Sequence, residues 1–149
     1  MLEVGSGPGR DADFIESLGA KVRRTDATQT FLDLQAARGK HGERLNLLTD
    51  ALGGPYDAIL AMCVLVHIER AHTDRVLRKI RKALRPGGAF LVAVWEGTGE
   101  TAGDYHMTYW TRRAFATRLT AARLAVEWDG REVDSDGDRL LTFLARRAP

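Results

Sequence analysis

The stretch Leu2-Glu-Val-Gly-Ser-Gly-Pro-Gly-Arg10 decides the fold. A short apolar run, Met1–Val4, leads straight into a glycine-rich turn, and a helical pattern follows from Asp11. Glycines at 5, 7 and 9 let the backbone turn tightly and approach a ligand where a Cβ would clash. A strand–turn–helix of this kind places its turn in the ligand crevice at the carboxyl end of a first parallel strand. A dinucleotide fingerprint, G-x-G-x-x-G, counted from Gly5 would need glycine where Arg10 stands. The spacing is instead Glu3-x-Gly5-x-Gly7-x-Gly9, which argues against a nicotinamide-dependent oxidoreductase.

Working outward, apolar runs alternate with amphipathic helical patterns, the signature of βαβ units and a largely parallel sheet. Asp11–Leu18 puts Phe14, Ile15 and Leu18 on one helical face, with Gly19 as the stop. Lys21–Asp26 is a polar-rich strand, and Thr28–Arg38 a second helix with Phe31, Leu32 and Leu34 as its apolar members. Arg44–Thr49 reads as a third strand ending at Asp50. Tyr56–Val66 lacks alternation, as expected of a central strand covered on both faces. Thr73–Leu84 is a helix with Val76, Leu77, Ile80 and Leu84 inward, stopped by Pro86-Gly87-Gly88, and Ala89–Trp95 is another buried strand. Glu96–Asp104 reads as a loop, and Thr111 caps a helix carrying Phe115 and Leu119. The runs around Leu124–Trp128 and Leu140–Ala145 flank Asp134–Asp138 as an antiparallel hairpin. The fold class is α/β: a doubly wound sheet of about seven strands, mostly parallel, in one domain over residues 1–149.

The chain's 149 residues, 44% hydrophobic and 28% charged, suffice for one core. A net charge of +2 does not ask for nucleic acid or a membrane surface. The basic face Arg75, Arg78, Lys79, Arg81, Lys82 and Arg85 reads as a solvated helix exterior. The single Cys63 excludes an intrachain disulfide and suits a reducing cytoplasm. The histidines lack metal spacing, since His67 and His72 do not form an i, i+4 pair, and no metal is expected. Asp134, Asp136 and Asp138 lack the sixth-position glycine of a calcium loop, where Arg139 stands.

In its first motif the chain resembles the class I S-adenosylmethionine-dependent methyltransferases, whose pattern is (D/E)-x-G-x-G-x-G. The resemblance runs from Leu2 to Trp95. It includes Asp26 at the end of the second strand, Asp50 after the third, Tyr56-Asp57-Ala-Ile59 through His67, and Leu84-Arg85-Pro86-Gly87-Gly88. It implies S-adenosylmethionine as cofactor, S-adenosylhomocysteine as product, and methyl transfer to a small-molecule O, N or C nucleophile. The amino-base tetrapeptide (N/D)-P-P-(Y/F) is replaced by Ala61-Met-Cys-Val64. A non-catalytic cofactor-binding module is the alternative.

By the same resemblance, Asp26 with Ala27 holds the ribose hydroxyls, and Asp50 with Ala51 and Leu52 receives the adenine. Glu3, Gly5, Ser6, Gly7 and Gly9 face the methionine end, and Met62, Cys63 and Val64 line the cleft. His67 is either a general base or a structural histidine; His106, Tyr109 and Trp110 either line the acceptor pocket or pack on the sheet. The family's helices before the first motif have no counterpart in this chain, which reads as a truncated fragment or a late start. That loss is expected to expose apolar surface near Met62–Val66 and Tyr105–Trp110 and to favour a homo-oligomer.

Overall fold

Three residues, Leu2–Val4, form β1, and all three are buried because the sheet continues on both sides of them. A computed structural model describes residues 1–149. After β1 come α1 (Arg10–Ser17), β2 (Arg23–Asp26), α2 (Gln29–Ala36), β3 (Gly42–Arg44) and β4 (Tyr56–Met62). A single turn of 3-10 helix, Leu65–His67, leads to α3 (Arg70–Ala83) and β5 (Leu84–Trp95). The short strands β6 (Glu100–Thr101) and β7 (Met107–Thr108) pair with each other; α4 (Arg112–Ala121), β8 (Leu124–Val133) and β9 (Arg139–Arg147) complete the chain.

The seven-stranded sheet has the order β3-β2-β1-β4-β5-β9-β8. The first five strands pair parallel, and β9 and β8 close the edge antiparallel. Strand order reverses between β1 and β4, and loops leaving the carboxyl ends of these strands diverge there to leave a crevice. The α/β fold and its antiparallel hairpin agree with the sequence expectation.

The strongly periodic elements form as their patterns dictate. Val76, Leu77 and Ile80 of α3 are fully buried against the sheet, as are Phe115 and Leu119 of α4. Thr111 caps α4 by accepting from the Ala114 N–H at 3.2 Å. The β8–β9 turn is closed by Asp134, whose Oδ1 accepts from the amides of Asp136 and Asp138. Gly88 lies where a Cβ would sit 2.9 Å from the Arg85 carbonyl oxygen, so the Pro-Gly-Gly bend tolerates no side chain there.

Four expectations are corrected. Helix α1 does not bury Phe14 and Leu18, which are 65% and 71% exposed; its inward residues are Ala12 and the carboxylates Asp13 and Glu16. Arg24 of β2, only 2% exposed, draws those carboxylates in at 2.7 and 2.6 Å and so sets the helix's rotation. The third strand is Gly42–Arg44 rather than Arg44–Thr49. Asn46–Asp50 folds into a turn in which Asp50 Oδ2 accepts from the Asn46 N–H at 2.8 Å and Asn46 Oδ1 from the Leu48 N–H at 2.9 Å. Glu96–Asp104 is not wholly loop, because Glu100–Thr101 pairs with β7. Finally, the surface expected to lie open is closed only in part: Leu65, Val66 and Trp110 are buried and Met62, Cys63 and Val64 half-buried, while Tyr105 stands exposed, as do Phe14 and Leu18 of α1 and Leu34 of α2.

On the basic face of α3, Arg75 donates to the Leu48 carbonyl, and Lys79 to those of Leu47 and Asp50. These cations hold the 46–50 turn. No helix is long and apolar enough to cross a membrane.

The Arg24 cluster predicts an acid-sensitive fold. Hydrogen bonds from Arg38 and Arg24 lower Asp13 to about 2, and those from Arg24 and Lys40 lower Glu16 to about 2. Both carboxyls are more acidic folded than unfolded, so their stabilisation is complete above the unfolded value near 4 and is lost as pH falls towards 2. Thermal unfolding followed by circular dichroism from pH 6 to 2 is expected to show the melting temperature falling across that window. Arg24→Met is expected to flatten the slope and lower stability at pH 7; an unchanged slope would remove Arg24 from this role.

Candidate functional site

The glycine turn is shaped from beneath by polar residues of β2 and α2. Gly5 has a φ of +67°, and a Cβ there would lie 2.3 Å from Val64 Cγ2, so the loop after β4 occupies the space that glycine vacates. The Ser6 N–H donates to the Thr25 carbonyl at 2.8 Å, continuing the β1–β2 ladder into the turn. Gln35, fully buried on α2, donates through Nε2 to Ser6 Oγ and to the Gly7 carbonyl, both at 2.8 Å. Asp26 Oδ2 accepts from the Gly7 N–H and Oδ1 from the Thr28 N–H, each at 2.8 Å. A carboxylate has about four acceptor directions, so two amides leave it capacity for further donors.

The crevice between β1 and β4 is a cleft of about 860 Å³. Gly5, Gly7, Asp26, Ala27, Met62, Cys63 and Val64 line it, as does His67. Glu3, in β1, and Ser6 and Gly9, within the loop, are buried and do not line the cleft. Asp50, Ala51 and Leu52 do not line it: with β3 ending at Arg44, Leu45, Asn46 and Leu47 reach the wall instead, and Asp50 turns back on Asn46. Thr28, Thr30 and Phe31 of the β2–α2 corner, with Ile68 and Tyr105 at the other end, complete the lining that sequence reasoning missed. The signal for Asn46 is a polar residue two positions after β3; the leucines around it, Leu45, Leu47 and Leu48, obscure it by resembling strand.

Three acceptor-side expectations move as well. Trp110 is fully buried, edge-on to Phe115 with ring centroids 5.5 Å apart. Tyr109 lines a separate cavity of about 200 Å³ with Trp95, Glu96, Met107, Asp138 and Arg139. The His106 ring is turned into its own hairpin, with Nε2 2.9 Å from Thr108 Oγ1 and 3.3 Å from Glu100 Oε1. Tyr105, 78% exposed, is the hairpin residue that reaches the cleft.

Electrostatically the cleft has one acidic end. Glu3 is buried beneath the glycine loop, and its Oε2 has no hydrogen-bond partner. Burial pushes its carboxyl up to about 7, with Asp11, Asp13 and Asp26 adding to the rise and Arg24 opposing it. Cys63 holds a φ of +56° at the end of β4, and burial pushes its thiol up, away from nucleophilic character. No group of three or more His, Cys, Asp or Glu is placed to hold a metal.

A family model described as "Methyltransferase domain" matches residues 2–90. The ubiquinone biosynthesis O-methyltransferase of Mesorhizobium japonicum is 32% identical over 111 residues, 69% of this chain and 43% of that protein. The chain spans less than half the length of the curated relatives it matches. Among solved structures, an S-adenosylmethionine-dependent methyltransferase of Methanosarcina mazei superposes with a TM-score of 0.85 at 14% identity, over 99% of this chain and 91% of that one. The 1,6-didemethyltoxoflavin-N1-methyltransferase of Burkholderia thailandensis, with 1,6-didemethyltoxoflavin and S-adenosylhomocysteine bound, gives 0.84 at 23% identity, over 99% of this chain and 70% of that one. These two share the fold. The family match covers more than half of the chain, and the protein therefore belongs to the methyltransferase-domain family, whose class I members use S-adenosylmethionine.

Proposed function

We propose that residues 1–149 act as one domain that transfers a methyl group from S-adenosylmethionine to a small-molecule nucleophile. The observation that carries the reading is the convergence, at one end of one cleft, of a braced glycine loop and the partly committed carboxylate of Asp26, with the carboxyl of Glu3 buried beneath that loop. Two vicinal ribose hydroxyls suit the free acceptor capacity of Asp26, with Ala27 and Thr28 beside it. Asn46 stands where an adenine edge can be read by an amide, and Phe31 offers an aromatic face nearby. Glu3 supplies negative charge behind the loop, which suits a ligand carrying both an ammonium and a sulfonium. S-Adenosylmethionine supplies a methyl carbon already activated by its sulfonium, so the protein has only to bind, align and exclude water.

For the acceptor, the walls from Met62 to Ile68 and at Tyr105 are mostly apolar, and no lysine or arginine lines the cleft. A small uncharged molecule fits such a wall better than a phosphorylated or polyanionic one. The ubiquinone-pathway relative and the toxoflavin-precursor enzyme are both named for small-molecule methylation, which supports the same class. The lone free Cys63 suits a reducing compartment such as the cytoplasm.

Three outcomes test this reading. S-Adenosylhomocysteine at 100 times its dissociation constant is expected to stabilise the fold by about 2.7 kcal/mol, read as a raised melting temperature. No shift at millimolar ligand would sink the proposal. Asp26→Ala, compared with wild type by calorimetric titration, is expected to weaken S-adenosylhomocysteine binding by about 1–3 kcal/mol, the scale of lost charged hydrogen bonds. Less than threefold weakening would remove Asp26 from the ribose role. Because Glu3 titrates near 7 and a cationic ligand favours its ionised form, S-adenosylmethionine affinity is expected to rise with pH from 6 to 8 and then level. Glu3→Gln is expected to abolish that rise; an equal pH dependence in the variant would assign it to another group.

A further inference from the structure

The far end of the cleft holds a histidine whose tautomer is set by the main chain. His67 closes the Leu65–His67 turn, and the two residues before it, Leu65 and Val66, are buried and fix the turn's position. Its Nδ1 lies 3.2 Å from the carbonyl oxygen of His106. A carbonyl only accepts, so the neutral ring must carry its proton on Nδ1, leaving the Nε2 lone pair unused by that bond. His67 lines the cleft beside Ile68 and Tyr105.

The carbonyl that orients it is held in place by a network of its own. Thr108 Oγ1, fully buried in β7, donates to the Ile68 carbonyl at 2.8 Å. Glu100 Oε1 accepts from the Arg70 N–H at 2.6 Å, which ties β6 to the start of α3. The Arg70 guanidinium donates to the carbonyls of Gly99 and Tyr109 and stacks 3.9 Å over the Trp110 ring. The 99–109 hairpin is thereby fastened to the residues that directly follow His67.

We propose that His67 is the general base of this cleft, held in its Nδ1–H tautomer by the His106 carbonyl, and that its acceptor is an uncharged aromatic hydroxyl. The inference rests on the methyl-transfer reading and adds the acceptor class to it. The other acid and thiol on the wall have different work or character: Asp26 anchors the Gly7 and Thr28 amides at the opposite, ribose end of the methyl-transfer reading, and burial pushes the Cys63 thiol up. The charged groups of the hairpin and the start of α3 are engaged elsewhere: Glu100 with the His106 ring and the Arg70 N–H, and the Arg70 guanidinium with the Gly99 and Tyr109 carbonyls. The wall carries no cation to receive a carboxylate or phosphate, while Tyr105 offers an aromatic face at the same end. A phenolic hydroxyl, titrating near 10, is within a few units of imidazole, the range in which a positioned base is effective.

The step balances without a further reactant. The hydroxyl proton passes to His67 Nε2 while an oxygen electron pair forms the new bond to the methyl carbon. The carbon–sulfur bond breaks, its electron pair returns to sulfur, and the sulfonium becomes a neutral thioether.

Catechol and 4-nitrocatechol separate a base from a structural histidine, because the nitro compound loses its proton near neutrality unaided. With S-adenosylmethionine at pH 7, His67→Gln is expected to methylate catechol about 100-fold more slowly than wild type, yet 4-nitrocatechol at a similar rate. Its affinity for S-adenosylhomocysteine is expected to be unchanged. In wild type, long-range nitrogen–proton spectra of the histidine rings at pH 8 should show His67 protonated on Nδ1, a signature that Arg70→Ala, by loosening the hairpin, should weaken. Equal loss on both catechols, an Nε2–H tautomer in wild type, or no catechol turnover by a protein that binds S-adenosylhomocysteine would each overturn this proposal alone. Failure of wild type to bind S-adenosylhomocysteine would instead overturn the methyl-transfer reading beneath it.

Discussion

The buried guanidinium of Arg24 is the interaction on which the rest of the site depends. It leaves the middle of β2, where an apolar residue would ordinarily pack beneath α1, and meets Asp13 and Glu16 in the helix above. The same group lies 3.4 Å from the Gly9 carbonyl and 3.4 Å from Gln35 Oε1, so it touches the glycine loop and α2 together. A fully buried ion pair contributes little net stability, because desolvation offsets most of the attraction. Here only the cation is fully buried; the carboxylates sit at the edge with about a third of their surface in water, which reduces that desolvation cost. What the arrangement supplies is direction. A planar donor with several partners admits few positions for α1, and the loop between β1 and α1 inherits that restriction.

This explains which parts of the fold were legible in the sequence. Elements whose faces are set by apolar burial, namely β4, α3, β5, α4 and the terminal hairpin, form where the apolar pattern places them, but β4 ends at Met62 rather than Val66, β5 begins at Leu84 rather than Ala89, and a shift in register between Val126 and Trp128 leaves Trp128 exposed. Helices α1 and α2 do not follow their apolar pattern, because their inward faces are chosen by Arg24 and Gln35; Phe14, Leu18 and Leu34 are displaced to the surface. Periodicity alone contains no sign that a strand residue will be a buried arginine. The third strand fails for a different reason. Leu45 and Leu47 are buried, as a strand pattern requires, but in a turn whose backbone is satisfied by Asn46 and Asp50 side chains and by Lys79. Burial was legible there and conformation was not. The shift in conformation brings Asn46, rather than Asp50, to the cleft wall.

The acceptor side was less legible because its residues sit on a short hairpin rather than on a periodic element. Tyr105, His106, Tyr109 and Trp110 read in sequence as one aromatic cluster. The β6–β7 pairing divides them among four environments: the cleft, the hairpin's own network, a second cavity and the core. Strand alternation could have separated them only if the two-residue strands had been recognised, and strands that short carry almost no pattern. His106 shows the limit most clearly, since the part of it that touches the cleft histidine is its main-chain oxygen, which every residue type possesses.

The two ends of the cleft are geared to each other across the strand switch. Val64 fills the space left by Gly5, so the loop after β1 and the loop after β4 interlock. The left-handed residue Cys63 turns the chain out of β4 so that Val64 meets Gly5, and three residues later His67 meets the hairpin. A non-glycine residue at positive φ is costly, on the order of 1–2 kcal/mol, and persists only where its surroundings over-determine it. Here those surroundings are a hydrogen bond from its own N–H to the Ala93 carbonyl and the Val64–Gly5 contact on its far side. The glycine loop, Val64 and the turn that carries His67 thus form one continuous set of contacts. Arg24 meets the same glycine loop from its other side at the Gly9 carbonyl, so the loop is held between β2 and the segment that carries His67.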